Sequence, residues 1–191
     1  MKTTRTEAVG RVNVKAMTLT AVCAAIICVI APWQIPVGAV PITLATFAVY
    51  MISAVTGPIR AAAAVAIYIL LGSVGVPVFA GFKGGFNAVA GVTGGYIIGY
   101  LPCAFIIGLL CSKISSGKMS KARLWVYPAS MAVGTVLLYA VGTAWYCIAA
   151  GVELAPALAA CVFPFIPLDI VKIAAASILC ARIAPALDRI K

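Results

Sequence analysis

Between Leu154 and Ala181 the chain carries two charged side chains, Asp169 and Lys172, in a stretch that is otherwise free of charge and mostly apolar. A membrane-spanning helix needs about 20 predominantly apolar residues, and this stretch exceeds that length. An ionisable group at such a depth is costly and normally faces a partner or a polar cavity. Residues at i and i+3 share one face of a helix, so Asp169 and Lys172 are expected to point at the same place. Pro167 has no N–H to donate and crowds a preceding helical turn, so the helix carrying the pair is expected to start or restart there. The start of a helix adds the positive end of its dipole to that spot. The plainer reading is an ion pair that neutralises itself and fastens two helices together.

Composition supports a membrane setting throughout. Charged residues make up 9% of the 191 residues and hydrophobic ones 64%, whereas an ordinary soluble domain is about 25% charged. No stretch is polar enough to form a separate soluble domain, so residues 1–191 are read as one membrane domain with a short basic tail over residues 1–15. The net charge of +10 does not point to nucleic acid, because the basic residues sit in short connections between apolar runs. The chain has seven cysteines, mostly inside apolar runs, and no histidine. None of the cysteines forms a C-x-x-C pair, which argues against zinc and thiol–disulfide chemistry and for small buried hydrophobes. No cofactor is expected.

Six apolar runs can be counted: 16–31, 40–56, 61–72, 93–111, 124–150 and 154–181. The fold class expected is therefore all-α, a bundle of six transmembrane helices with irregular outer loops. The first run lacks a cleavage site after it and is read as a retained helix. With the N-terminus in the cytoplasm, the inner segments hold Lys2, Arg5, Arg11, Lys15, Arg60, Lys113, Lys118, Lys121, Arg123, Arg182, Arg189 and Lys191. The outer connections hold Lys83 as their one cation, together with Glu153. This asymmetry follows the positive-inside rule and places both termini in the cytoplasm.

Two connections are too hydrophobic for solvent loops and too broken for helices. One is Trp33-Gln34-Ile35-Pro36-Val37-Gly38-Ala39-Val40-Pro41; the other is the glycine-rich segment from Ser73 to Asn87, which follows a third run of barely a dozen residues. Irregular backbone at membrane depth survives where protein or a cavity satisfies it, and such segments point to the binding site of a transporter. Both lie on the outer side with the Pro167 break, so the site is expected to open outward. Gly91, Gly95 and Gly99 are spaced for close helix packing. Ala21 and Ala25 have the same spacing, which suits either internal packing or docking of another subunit. Ser116-Gly117-Lys118-Met119-Ser120 has the look of the end of a phosphate-binding loop, but Ser112 and Met119 stand where glycine and a magnesium-binding hydroxyl are needed. ATP-driven work would thus need a partner ATPase. With four carboxylates and no histidine, an intramembrane enzyme has little to work with.

Several stretches, in order along nearly the whole chain, resemble the BioY family. They are Val40-Pro-Ile-Thr-Leu-Ala-Thr-Phe47, Tyr68-Ile-Leu-Leu-Gly-Ser-Val-Gly-Val-Pro-Val-Phe-Ala-Gly-Phe82, Thr93-Gly-Gly-Tyr-Ile-Ile-Gly99, Gly142-Thr-Ala-Trp145 and Pro164-Phe-Ile-Pro-Leu-Asp-Ile-Val-Lys172. Ala45 departs from the family's usual glutamine, and Leu168 from its usual glycine. The resemblance implies a biotin-specific S component of an energy-coupling-factor transporter, with biotin held near the outer face of a prokaryotic cell membrane. It implies as partners a transmembrane coupling protein and two cytosolic ATPases. It also implies that Ala21 and Ala25 form the docking face for the coupling protein.

Biotin is compact, with a ureido group that offers two N–H donors and one carbonyl acceptor. On the resemblance, Asp169 accepts from a ureido N–H, Lys172 donates to the ureido oxygen, and Asn87 completes the polar set. Phe79, Phe82, Tyr96 and Trp145 are candidates to wall the rings, with plain core packing as the alternative, and Lys83 is a candidate to attract the valerate carboxylate. Thr43 and Gln34 are weaker candidates, read more readily as capping or interfacial residues. An S component for another vitamin and a stand-alone ion-coupled carrier, with the charged pair as a relay, are the competing functions. The topology is open to direct test. In a cysteine-free background, cysteines placed at Lys83 and Lys118 should react with an impermeant reagent from opposite sides of the membrane, and same-side labelling would overturn six spans.

Overall fold

The computed structural model describes residues 14–36, 40–114 and 122–188, with side chains left aside at 114, 122–124 and 184–188. Most of the basic tail, Val37 to Ala39, the sequence around Gly117, and Lys118, Lys121, Arg189 and Lys191 lie outside the described residues. In chain order the elements are α1 (Val14–Ile30), β1 (Gln34–Ile35), β2 (Ile42–Thr43), α2 (Ala45–Thr56), α3 (Pro58–Val74), α4 (Phe86–Ala90), α5 (Gly94–Ile114), α6 (Ala122–Ala150), α7 (Leu154–Cys161) and α8 (Ile166–Asp188). The protein is mostly helical, and each of the six apolar runs contains a helix.

The span count is less uniform than the runs suggest. Two helices, over Gly94–Lys113 and Trp125–Ala150, are individually long and apolar enough to cross a membrane, and α7 with α8 makes a third if the bent pair counts as one. Helices α1, α2 and α3 are apolar but shorter, with α2 reaching only 12 residues. The third run is longer than expected, because α3 begins at Pro58 and lasts 17 residues. Gly57 adopts φ +84°, a left-handed-side conformation open to glycine, and Pro58 then sits in the first turn, where its missing N–H costs nothing. The chain thus turns a tight corner between α2 and α3.

The sixth run breaks near the expected place. Helix α8 starts at Ile166 with Pro167 in its first turn, and it is bent by 49° from α7. The Ser73–Asn87 segment is more ordered than a broken loop. Ser73 and Val74 still belong to α3, Phe79 pairs with Lys83 in a single bridge, and Phe86 opens the short α4. Trp33–Pro41 likewise contains β1, which pairs antiparallel with β2 in the register Gln34 to Thr43 and Ile35 to Ile42. These few ladder bonds satisfy backbone groups that cannot join a helix.

Helix α5 is the centre of the packing, in contact with α2, α3, α4 and α6. Glycines make this possible. A side chain at Gly95 would strike Trp145 of α6, one at Gly99 would press on Leu138, and one at Gly108 would run into the backbone of Gly57 and Pro58. Gly142 of α6 gives the reverse fit, receiving the ring of Tyr96. Without water to drive helices together, such close approach is the main source of attraction between them. Gly91 lies outside this stripe, because it ends α4 instead of belonging to α5. Hydroxyls in the apolar helices are satisfied internally: Ser53 donates to the carbonyl of Val49, Thr56 to that of Ile52 and Ser177 to that of Ile173. Cys23, Cys103, Cys111, Cys161 and Cys180 are buried thiols.

Gly108 offers the sharpest test of this packing, since a backbone corner cannot rotate away as a side chain can. Gly108→Ala should destabilise the protein by about 1–3 kcal/mol, read as a lowered melting temperature in detergent. An unchanged melting temperature would mean that α5 does not press on the α2–α3 corner.

Candidate ligand-binding cavity

The ends of α1 and α3, the starts of α2 and α5 and the loops between them gather at one end of the bundle. The loops are tied together there, since Gly81 N–H donates to the Pro32 carbonyl at 2.9 Å and Gly85 N–H to that of Gly72 at 2.7 Å. They enclose a cavity of about 500 Å³, lined by Gln34, Val40 and Thr43 from the first connection, Tyr68 from α3, Phe79 and Lys83 from the second connection, Asn87 from α4, and Tyr96 and Tyr100 from α5. That volume falls within the range of small-molecule sites, about 300–1,000 Å³. Both irregular segments singled out in the sequence therefore do line the cavity.

The walls are held by named contacts. Phe79 is buried with its ring on the flat face offered by Gly72, and it meets Tyr68 edge-on at 5.4 Å. Tyr96 packs on Gly142, and its hydroxyl lies 3.2 Å from that of Thr143. Lys83, Gly84 and Asn87 are exposed and form the rim. The cavity thus offers aromatic walls deep inside and a cation beside an amide at its mouth.

Two expected wall residues stand elsewhere. Phe82 is 60% exposed and meets Trp33 edge-on at 6.0 Å. Gly81 at φ +72° and Phe82 itself at φ +58° turn the chain over, which carries this ring outside. Trp145 is a support and does not line the cavity. Its indole N–H donates to the Gly91 carbonyl at 3.0 Å while its base lies on Gly95, fixing the α4–α5 junction that does line the site.

Asp169 and Lys172 do come together, 3.0 Å apart, but they line a neighbouring hollow of about 40 Å³. The hollow and the cavity share Val40, Pro41, Thr43, Tyr96 and Tyr100 as a common wall. Asp169 is 4% exposed. Its Oδ2 accepts from the Tyr139 hydroxyl at 2.5 Å and its Oδ1 from Lys172. Lys172 gives its three donors to Asp169, the Thr43 carbonyl at 2.8 Å and Thr46 Oγ1 at 3.0 Å. The ammonium is saturated, so direct donation to a ligand requires it to exchange a partner. Asp169 accepts once at each oxygen and retains acceptor capacity. The pair joins α8 to α6 and to the β2–α2 junction, which is also the cavity wall.

Tyr139 and Thr46 were not singled out from sequence, nor were Tyr68 and Tyr100. A signal existed for Tyr139: Thr135, Tyr139 and Thr143 recur every four residues of an apolar run, and they bond to Tyr50, Asp169 and Tyr96 respectively. Tyr100 likewise follows Tyr96 by one helical step. Ala21 and Ala25 are exposed on α1, whereas Cys23, Ala24 and Ile27 of the same helix are buried. The two alanines therefore do not belong to the protein's own core. Among the described residues no group of His, Cys, Asp or Glu could hold a metal ion.

A mostly helical chain with apolar, membrane-type helices and an open-mouthed cavity of small-molecule size at one end has the form of a transporter's substrate-binding subunit. Comparison with known proteins gives the family. The BioY family model matches residues 1–189, and the chain belongs to that family. It is 37% identical over 157 residues to the biotin transporter BioY of Thermotoga maritima, covering 81% of this chain and 88% of that protein. It is also 37% identical over 169 residues to a probable biotin transporter BioY of Pyrococcus horikoshii, covering 88% and 96%. A solved structure described as the S-component for biotin from an ECF-type ABC transporter superposes with a TM-score of 0.78 at 27% identity, covering 91% of this chain and 94% of that one. The chain is thus a transport protein and not an enzyme.

The saturated ion pair makes a stability prediction that is independent of any ligand. Asp169→Leu alone strands a buried ammonium and should cost about 3–5 kcal/mol, whereas Asp169→Leu with Lys172→Met should recover most of that loss. Thermal melts in detergent read both. A double variant no more stable than the single one would show that the two charges do not compensate each other.

Proposed function

We propose that this chain captures biotin at the outer face of a prokaryotic cell membrane and delivers it inward as the S component of an energy-coupling-factor transporter. The observation that carries the reading is the open-mouthed, aromatic-walled cavity with Lys83 and Asn87 at its rim, in a chain whose relatives are named biotin transporters. The fused rings lie between Phe79 and Tyr96, and the valerate carboxylate points to Lys83 and to Asn87, whose exposed place at the rim suits it to the carboxylate instead of the ureido group expected from sequence. Asp169 takes a ureido N–H across the common wall at Thr43 and Tyr100, while Lys172 holds that wall in place and gives the ureido oxygen a donor by exchanging a partner. A ligand without the ureido group offers Asp169 no further donor and Lys172 no acceptor in exchange for the partner it gives up, which disfavours it against biotin.

Six spans support this function, formed by α1, α2, α3, α5, α6 and the bent pair α7–α8, with both termini in the cytoplasm and residues 1–191 acting as one membrane domain. The shorter α1, α2 and α3 are consistent with spans completed by the irregular segments at the cavity end. Transport is driven by two cytosolic ATPases through a transmembrane coupling protein, which docks on the small-residue face at Ala21 and Ala25. The exposure of both alanines favours that role over internal packing.

Calorimetric titration of the purified chain should show one biotin site per protein. Ala21→Trp or Ala25→Trp should keep that affinity and lose both co-purification with the coupling protein and ATP-dependent uptake. Absence of biotin binding, or full uptake with the ATPases deleted, would contradict the reading.

A further inference from the structure

Two polar side chains at the inner walls of the cavity bear on what it can bind. The first is Gln34. Its Oε1 is buried and unsatisfied, the one such side-chain atom among the described residues. The amide is not adrift, since it rests against the Cα face of Gly81 and its backbone is paired with Thr43 in the small ladder. The second is Tyr68, 1% exposed as a residue, whose ring is fixed edge-on against Phe79; its hydroxyl is not among the buried unsatisfied atoms and is left to the space of the cavity that the residue lines. Both residues line the same cavity. By contrast, Lys172 is saturated, and the hydroxyl of Tyr96 already has protein partners.

A buried carbonyl oxygen without a donor is rare and needs a reason. Removing a hydrogen-bond partner from a buried group is costly, so a ligand that supplies the missing partner gains affinity from the cost it relieves. The terminal torsion of glutamine is broad and soft, so the amide can turn either end toward an occupant. The tyrosine ring cannot move far, and its hydroxyl is both donor and acceptor.

We propose that Gln34 and Tyr68 are specificity-determining contacts for the ligand, a second polar pair set apart from Asp169 and Lys172. The chemistry they fit is a compact heterocycle with an N–H beside a carbonyl. The Gln34 carbonyl accepts the N–H that Asp169 does not take, and the Tyr68 hydroxyl donates to the second lone pair of the carbonyl oxygen. This rests on the biotin reading above, whose ureido group has that pattern.

The test uses Tyr68→Phe and Gln34→Met in the full chain, with biotin affinity and the melting temperature without biotin measured on the same preparations. A contact to the ligand predicts affinity reduced roughly tenfold or more by either change, with an unliganded melting temperature equal to or above that of the native protein. The second part is decisive, because removing a side-chain group that holds nothing together in the protein does not weaken the empty protein. Unchanged affinity in both variants while the native chain binds biotin would overturn this inference alone. Affinity lost together with a lowered unliganded melting temperature would overturn it too, making both residues structural. A native chain that binds no biotin would overturn the underlying reading and this inference with it.

Discussion

A lysine ammonium inside an apolar bundle must find an acceptor for each of its three N–H bonds, and much of this site is arranged by how Lys172 does so. Its partners come from α8 itself, from the carbonyl of Thr43 at the end of the small β-ladder, and from Thr46 in the first turn of α2. Asp169 balances the charge, and Tyr139 of α6 fixes the far oxygen of that carboxylate. One buried charge therefore fastens three helices to the strand that walls the cavity. In a medium of low dielectric such a network is strong when complete and expensive when any member is missing.

The network also separates two tasks within a short distance. The large cavity is built from aromatic rings, the two irregular connections and an exposed rim, which suits a compact ring system with a charged tail. The charged pair lies behind a shared wall of Thr43, Tyr96 and Tyr100. Glycines set the shape of both. Gly72 lets Phe79 lie flat on α3, and Gly142 lets Tyr96 sink into α6, so these two rings of the cavity wall are packed against backbone. Rings held in this way lose little freedom when a ligand binds, which is the physical content of preorganisation.

Much of this was legible in the chain. Apolar runs located the helices, Pro167 marked the start of α8 to within one residue, and the i, i+3 spacing brought Asp169 to Lys172. The two glycine- and proline-broken segments identified the cavity's walls. What sequence could not give was depth and direction. The ring of Phe82 leaves the cavity because two successive residues adopt positive φ, and Trp145 turns its indole to Gly91 instead of to a ligand. Neither outcome follows from residue type. The apolar run begins only after Arg60 and so understates α3, whose true start is set by the corner at Gly57 and Pro58. Tyr68 carries no signal in the sequence and Gln34 only a weak one, because their interest lies in how they face the cavity, which is visible only in three dimensions.

The central claim is that the cavity enclosed by the two irregular connections receives biotin. Determining the structure of the biotin-saturated protein tests it most directly. The account predicts the fused rings between Phe79 and Tyr96, with the carboxylate toward Lys83 and Asn87. Biotin bound on the lipid-facing surface, or anywhere that leaves this cavity unoccupied, would contradict it.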